Sequence, residues 1–72
     1  MKSIRHIRVG GVEVTVWLED ELDTKGFQIT IIKNYKEKGE WKTTQFLKQS
    51  DLPKALLALQ KAYEYCALES II

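Results

Sequence analysis

From Val12 to Glu19 the chain alternates without a break. Val12, Val14, Val16 and Leu18 fall on one side, and Glu13, Thr15, Trp17 and Glu19 on the other. Period two marks a half-buried strand, and valine and threonine suit a pleated surface. A preceding strand is expected over Arg5–Val9, with Ile7 and Val9 inward and Gly10-Gly11 as the turn. Glu19 to Gly26 is polar and ends in glycine, which predicts a loop. Phe27 to Tyr35 is the next strand, with Phe27, Ile29 and Ile31 on one face and Gln28, Thr30, Ile32 and Asn34 on the other. Lys36-Glu37-Lys38-Gly39 reads as a hairpin turn, glycine supplying a positive φ. Glu40 to Leu47 completes the hairpin. Its phase is ambiguous, because Trp41 and Leu47 share one face while Phe46 takes the other, and a bulge would reconcile them.

The end of the chain has helical spacing. Ser50 or Asp51 is placed to cap the first turn, where Pro53 is tolerated because those N–H groups lack helical partners. Leu52, Ala55, Leu56, Leu59, Tyr63, Cys66 and Ala67 form one broad stripe, expected to cover the sheet. Leu57 and Leu68 lie outside it. With Ile71 and Ile72 they form an apolar surplus that a second copy of the helix would cover, so Leu57, Leu68 and Ile71 are the expected dimer seam. The fold class is therefore α+β: a four-stranded curved antiparallel sheet followed by one C-terminal helix, β-β-β-β-α, in a dimer.

Size and composition fit that reading. The chain has 72 residues, 44% hydrophobic and 29% charged, which is a globular composition. It is expected to be one domain spanning residues 1–72. So short a chain buries only about 60% of its unfolded surface, and oligomerisation is a common remedy. One cysteine excludes an internal disulfide and favours a reducing compartment. The longest apolar run, Ala55–Leu59, is far short of the roughly 20 residues that span a bilayer. A cytoplasmic protein is expected, nucleoid-associated if the source is prokaryotic. Net charge is only +1. That total hides an acidic stretch (Glu19, Asp20, Glu21, Asp23) between a basic N-terminus (Lys2, Arg5, Arg8) and a lysine-rich hairpin (Lys33, Lys36, Lys38, Lys42, Lys48).

A helix on one side leaves the other sheet face open, with Thr15, Trp17, Gln28 and Thr30 on it. An open antiparallel face with an aromatic ring, hydroxyls, amides and nearby lysines suits a single strand of nucleic acid. Its bases stack on indole and phenol rings while its phosphates seek cations. The hairpin, with Lys33-Asn34-Tyr35-Lys36 on one arm and Trp41-Lys42 on the other, is the best single feature for this. Trp17 and Trp41 have a competing reading as residues at the core edge or in a dimer seam. The lysines have one as solvated guards against edge-to-edge association. Tyr63 and Tyr65 read as packing residues and Cys66 as an inert buried thiol. His6 lacks partners at metal-ligand or triad spacing, and no phosphate cradle, nucleophile elbow or paired buried carboxylates are visible. No cofactor or metal is expected, and the chain reads as a non-enzyme.

The segment Phe27–Tyr35, the turn through Gly39-Glu40-Trp41-Lys42, and the opening Asp51-Leu52-Pro53 resemble the positive cofactor four family of single-stranded-DNA-binding transcriptional coactivators. The resemblance covers about the last two-thirds of the chain. It implies a curved four-stranded sheet, a two-fold dimer built through the helices, and DNA held across the sheets. By position, Lys33 and Tyr35 match the basic and aromatic residues that end the family's strand, and Lys42 the lysine after its turn. Thr43-Thr44-Gln45 stands where the family carries a basic Pro-Gly stretch.

The expected interface is thus Arg5, Arg8, Trp17, Lys33, Tyr35, Lys36, Lys38, Trp41 and Lys42. Tyr35 and Trp41 are taken as adjacent rings across the turn, with Lys33, Lys42 and the N-terminal arginines Arg5 and Arg8 as phosphate contacts. The expected partner is single-stranded DNA, with RNA open as a variant, in transcription, replication or recombination, alongside transcription or replication proteins. The alternative is a dimeric protein-interaction module without nucleic-acid binding. Neither DNA-versus-RNA choice nor sequence preference is legible in the residues.

Overall fold

The computed structural model describes residues 1–21 and 24–69. Four strands, β1 (Lys2–Val9), β2 (Val12–Glu21), β3 (Thr24–Glu37) and β4 (Glu40–Thr44), precede a 3-10 turn at Gln49–Asp51 and one helix, α1 (Leu52–Glu69). The strands form one antiparallel sheet in the order β1-β2-β3-β4, so each pairs with its neighbour in sequence. The fold is α+β, with the element order expected from the pattern.

The alternation in β2 sets both faces. Val14 pairs with Ile7 on β1 and Ile31 on β3, and Val12, Val14 and Val16 are fully buried beneath α1. Glu13, Thr15 and Trp17 take the opposite face. β2 and β3 are longer than the apolar pattern suggests. Pairing continues through Glu19↔Gly26, Asp20↔Lys25 and Glu21↔Thr24, so residues 19–21 and 24–26 of the expected Glu19–Gly26 loop are paired strand. Backbone pairing needs no apolar side chains. The 14 residues of β3, at ~3.3 Å each, cover about 46 Å, which matches the 45 Å long dimension of the molecule.

The β3–β4 turn is also tighter than expected. Glu37 pairs with Glu40, leaving Lys38 (φ 49°) and Gly39 (φ 83°) as a two-residue loop. Positive φ at both central residues gives the twist that short hairpins require. The β1–β2 turn has its own constraint at Gly11, where a β-carbon would stand 2.7 Å from the Asn34 carbonyl oxygen. Glycine there lets the Asn34 N–H reach the Gly11 carbonyl at 2.7 Å. The phase conflict in the last strand disappears because β4 ends at Thr44. Its hydroxyl accepts the Phe46 N–H at 3.1 Å, the chain bends, and Leu47 packs against the core from outside the sheet.

The helix face differs from the expected stripe. Ala55, Ala58 and Ala62 are buried against the valines, with Tyr65 and Cys66 packed beside them, while Leu52, Leu56, Leu59 and Tyr63 are exposed. Small side chains allow α1 to lie close on β2 and β1, and the bulky leucines are turned toward β3, which α1 barely touches. Asp51 ties the start of the helix to the sheet. Its buried carboxylate accepts the Lys33 ammonium at 2.8 Å and the Lys48 N–H at 2.8 Å, so it closes the preceding turn rather than bonding forward into α1. Those two donors, Lys33 first, hold its pKa below the ordinary carboxylate value.

Two outcomes follow from this packing. Ala58→Leu places a bulky side chain where helix and sheet meet, and chemical denaturation should show a loss of about 1–3 kcal/mol. A native pKa below the unfolded value means that the Asp51 contribution is complete at neutral pH. It is lost as pH falls through about 3.9 and below. Thermal melts should therefore drop in acid. Asp51→Asn should melt lower at pH 7 and show a shallower acid decline, and an unchanged acid profile would remove Asp51 from this role.

Candidate nucleic-acid interface

Strand parity divides the expected interface between two faces. Arg8, Trp17, Lys36 and Trp41 stand on the open face, since they share it with Glu13 through the pairs Arg8↔Glu13, Trp17↔Gln28 and Lys36↔Trp41. Arg5, Lys33, Tyr35 and Lys42 stand on the helix side, and Lys38 occupies the turn. Tyr35 pairs with Lys42, one step along from Lys36↔Trp41, so Tyr35 and Trp41 belong to opposite faces of the hairpin. They are not the adjacent rings expected from the sequence. A two-residue turn fixes that parity.

Two expected phosphate contacts are otherwise engaged. The Lys33 side chain is only 19% exposed and its ammonium is held by Asp51. It is a tie between sheet and helix rather than a free cation. The Arg5 guanidinium lies 5.3 Å from the centre of the Tyr65 ring on α1. Such a cation over an aromatic face is mildly stabilising and anchors the last part of the helix to β1. Lys42 approaches Glu37 at 3.3 Å, an exposed pair that contributes little.

Trp41 is 71% exposed, and the Lys36 ammonium sits 5.9 Å from its ring centre. It takes no part in the core, which removes the core-edge reading. Beside it an open groove of about 600 Å³ runs between the hairpin and the β1–β2 turn, bordered by Arg8, Glu13, Asn34, Tyr35, Lys36 and Trp41. Gly10 and Gly11 form its wall without side chains. Trp17 stands toward the other end of the same face. Its indole N–H donates to Thr30 Oγ1 at 2.9 Å, which fixes the ring over β3. Lys36 is eight residues beyond Gln28, the partner of Trp17, so at ~3.3 Å per residue the two indoles bracket about 26 Å of open face.

Between them lies a polar network that residue types alone did not single out. Glu13 is nearly buried on the open face. Its Oε1 accepts Asn34 Nδ2 at 3.1 Å and faces Arg8 Nε at 3.5 Å, and its Oε2 lies 3.1 Å from His6 Nδ1. Thr15 Oγ1 is also 3.1 Å from His6 Nδ1. The Asn34 amide, helped by Arg8 and His6 and opposed by burial, lowers the Glu13 pKa, so a carboxylate persists there. The available signal was strand parity, which places His6, Arg8, Glu13, Thr15 and Asn34 together. What it omits is that neighbouring side chains cover Glu13.

The expected dimer residues Leu57 and Leu68 share one face of α1. Leu57 and Leu68 are exposed on α1, while Ile71 lies outside the described residues. The larger uncovered surface is another line of the helix, Leu52, Leu56, Leu59 and Tyr63, next to exposed Ile29 on β3. Among the described residues no helix is long and apolar enough to cross a membrane. No family model matches the chain, and no curated protein or solved structure is significantly similar to it.

Proposed function

We propose that the chain binds single-stranded nucleic acid, with DNA as the expected form, along its open sheet face. The observation that carries this reading is Trp41: a largely exposed indole that the core does not use, beside a groove bordered by Arg8, Asn34 and Lys36. An unpaired base has an apolar face for that ring, and the flanking cations suit the phosphates. The buried Glu13 carboxylate repels phosphate, which favours a path with base edges over the middle of the face and the backbone along the Arg8 and Lys36 margins. The resemblance of Phe27–Tyr35, Gly39–Lys42 and Asp51–Pro53 to the positive cofactor four family supports the same function.

The acting unit is a homodimer, and its seam is Leu52, Leu56, Leu59 and Tyr63 rather than Leu57 and Leu68. Spacings of four, three and four residues draw one line along α1, the pattern by which two helices interdigitate around a two-fold axis. Ile29 extends the uncovered apolar surface onto β3. A dimeric module that binds only a protein partner is the competing function. Salt separates the two, because displacing counterions makes nucleic-acid binding steeply salt-dependent.

Trp41→Ala should weaken oligothymidylate binding by about five- to a hundredfold while leaving the melting curve and the much weaker duplex binding little changed. Unchanged single-strand affinity in a normally folded variant would take Trp41 out of the site. Lys36→Gln should reduce the slope of log affinity against log salt by about 0.7, as for one lost phosphate contact. A salt-insensitive wild type would favour the protein-partner reading. In sedimentation, Leu56→Glu combined with Leu59→Glu should give monomer, because a dimer seam cannot bury four carboxylates cheaply. Leu57→Glu should remain dimeric. The opposite pattern would return the seam to Leu57.

A further inference from the structure

β3 outruns its partner on one side. It pairs with β4 as far as Glu37, but with β2 only to Lys33, and the Asn34 N–H then closes onto the Gly11 carbonyl. From Tyr35 onward the β2 side of β3 has no partner strand, so the hairpin projects past the β1–β2 turn and leaves a notch. On the helix side of the hairpin lies a second groove of about 510 Å³, bordered by Tyr35, Lys36, Thr44, Phe46 and Lys48. Tyr35 and Lys36 border both grooves, so the two meet at the notch. Phe46 is 86% exposed, more than any other large hydrophobic side chain among the described residues, and packs against nothing in the core. The one carboxylate in this second groove, Glu37, is countered by Lys42 at 3.3 Å.

We propose that one nucleic-acid strand passes from the open face through this notch and continues onto the helix side of the hairpin, where Phe46 stacks a further base. The proposal rests on the reading above that the chain binds single strands. Lys36 at the notch and Lys48 beyond it supply cations along the turn, and Tyr35 offers a ring at the edge. The occupant is chosen by chemistry: an exposed ring between lysines suits a base flanked by phosphates better than it suits an apolar peptide or an apolar copy of this chain. The path between faces is about 10 Å, the thickness of a sheet with its side chains. That is about three nucleotides at the stacked spacing of ~3.4 Å. The opposed faces of Tyr35 and Trp41 thereby become two stations on one strand.

The test is fluorescence-anisotropy titration of the full chain with an oligothymidylate of about twelve nucleotides, within the site sizes known for sheet-based binders. Wild type, Phe46→Ala, Phe46→Trp and Trp41→Ala are compared, with melting curves and sedimentation on each. Phe46→Ala should lose about five- to a hundredfold in affinity with unchanged melting, oligomeric state and number of strands bound per chain. Phe46→Trp should retain affinity. If Trp41→Ala weakens binding and Phe46→Ala does not, the open-face reading stands and the passage through the notch is overturned. If Phe46→Ala reduces the number of strands bound, two separate sites replace the single path, which also overturns it. If Phe46→Ala instead yields monomer, the helix-side groove is an interface between copies. If the wild type binds no oligothymidylate, the function and the passage fall together.

Discussion

The close seat of α1 on β2 governs the rest of the molecule. Ala55, Ala58 and Ala62 present almost no bulk, so the helix settles directly over Val12, Val14 and Val16 and leaves much of the β3–β4 side uncovered. Burying three valines and three alanines is a modest core for a 72-residue chain. The Lys33–Asp51 pair reinforces it by tying the first turn of the helical segment to β3. The leucines that would fill the core of a self-sufficient monomer instead point sideways. Its small core and its uncovered surfaces thus have the same origin.

That seat also determines where chemistry is available. β4 is short and β3 is long, so the hairpin stands clear of both the helix and the β1–β2 turn. Side chains on both faces of a free two-stranded ribbon reach solvent, which is why Trp41 remains open, and Phe46 is open in the bend just after β4. On the main open face, by contrast, Glu13 and Thr15 are covered by neighbours and joined through His6. Its centre is a fixed polar patch between two indoles. Its side chains already hold one another, so ordering them on contact would cost little.

Much of this was legible from period two alone. The inward positions of β2, the outward position of Trp17 and the order of elements all follow from Val12–Leu18, Phe27–Ile31 and the helical end of the chain. The faces of Lys33 and Tyr35 were legible as well, since they share parity with Ile29 and Ile31, but that of Trp41 was not, because it depends on the turn being the two residues Lys38-Gly39 rather than the expected four. The helix contact was less accessible. Hydrophobicity ranks leucine over alanine, whereas close approach to a sheet selects the smaller side chain, and the apolar count could not separate a core stripe from an uncovered one. The extension of β2 and β3 through charged residues was hidden because the ladder there is made by backbone groups. The Glu13 network depended on side-chain reach across three strands, which spacing along the chain does not encode.

The central claim is that the open face beside the hairpin holds a nucleic-acid strand, and amide and indole chemical-shift mapping by NMR tests it most directly. On titration with a short oligothymidylate, the indole N–H of Trp41 and the amides of Arg8, Asn34 and Lys36 should shift together with one saturation curve. The amides of Leu57 and Gln60, exposed on α1 away from the sheet, should not move. Shifts confined to α1, or a spectrum unaltered by excess oligonucleotide, would contradict the account.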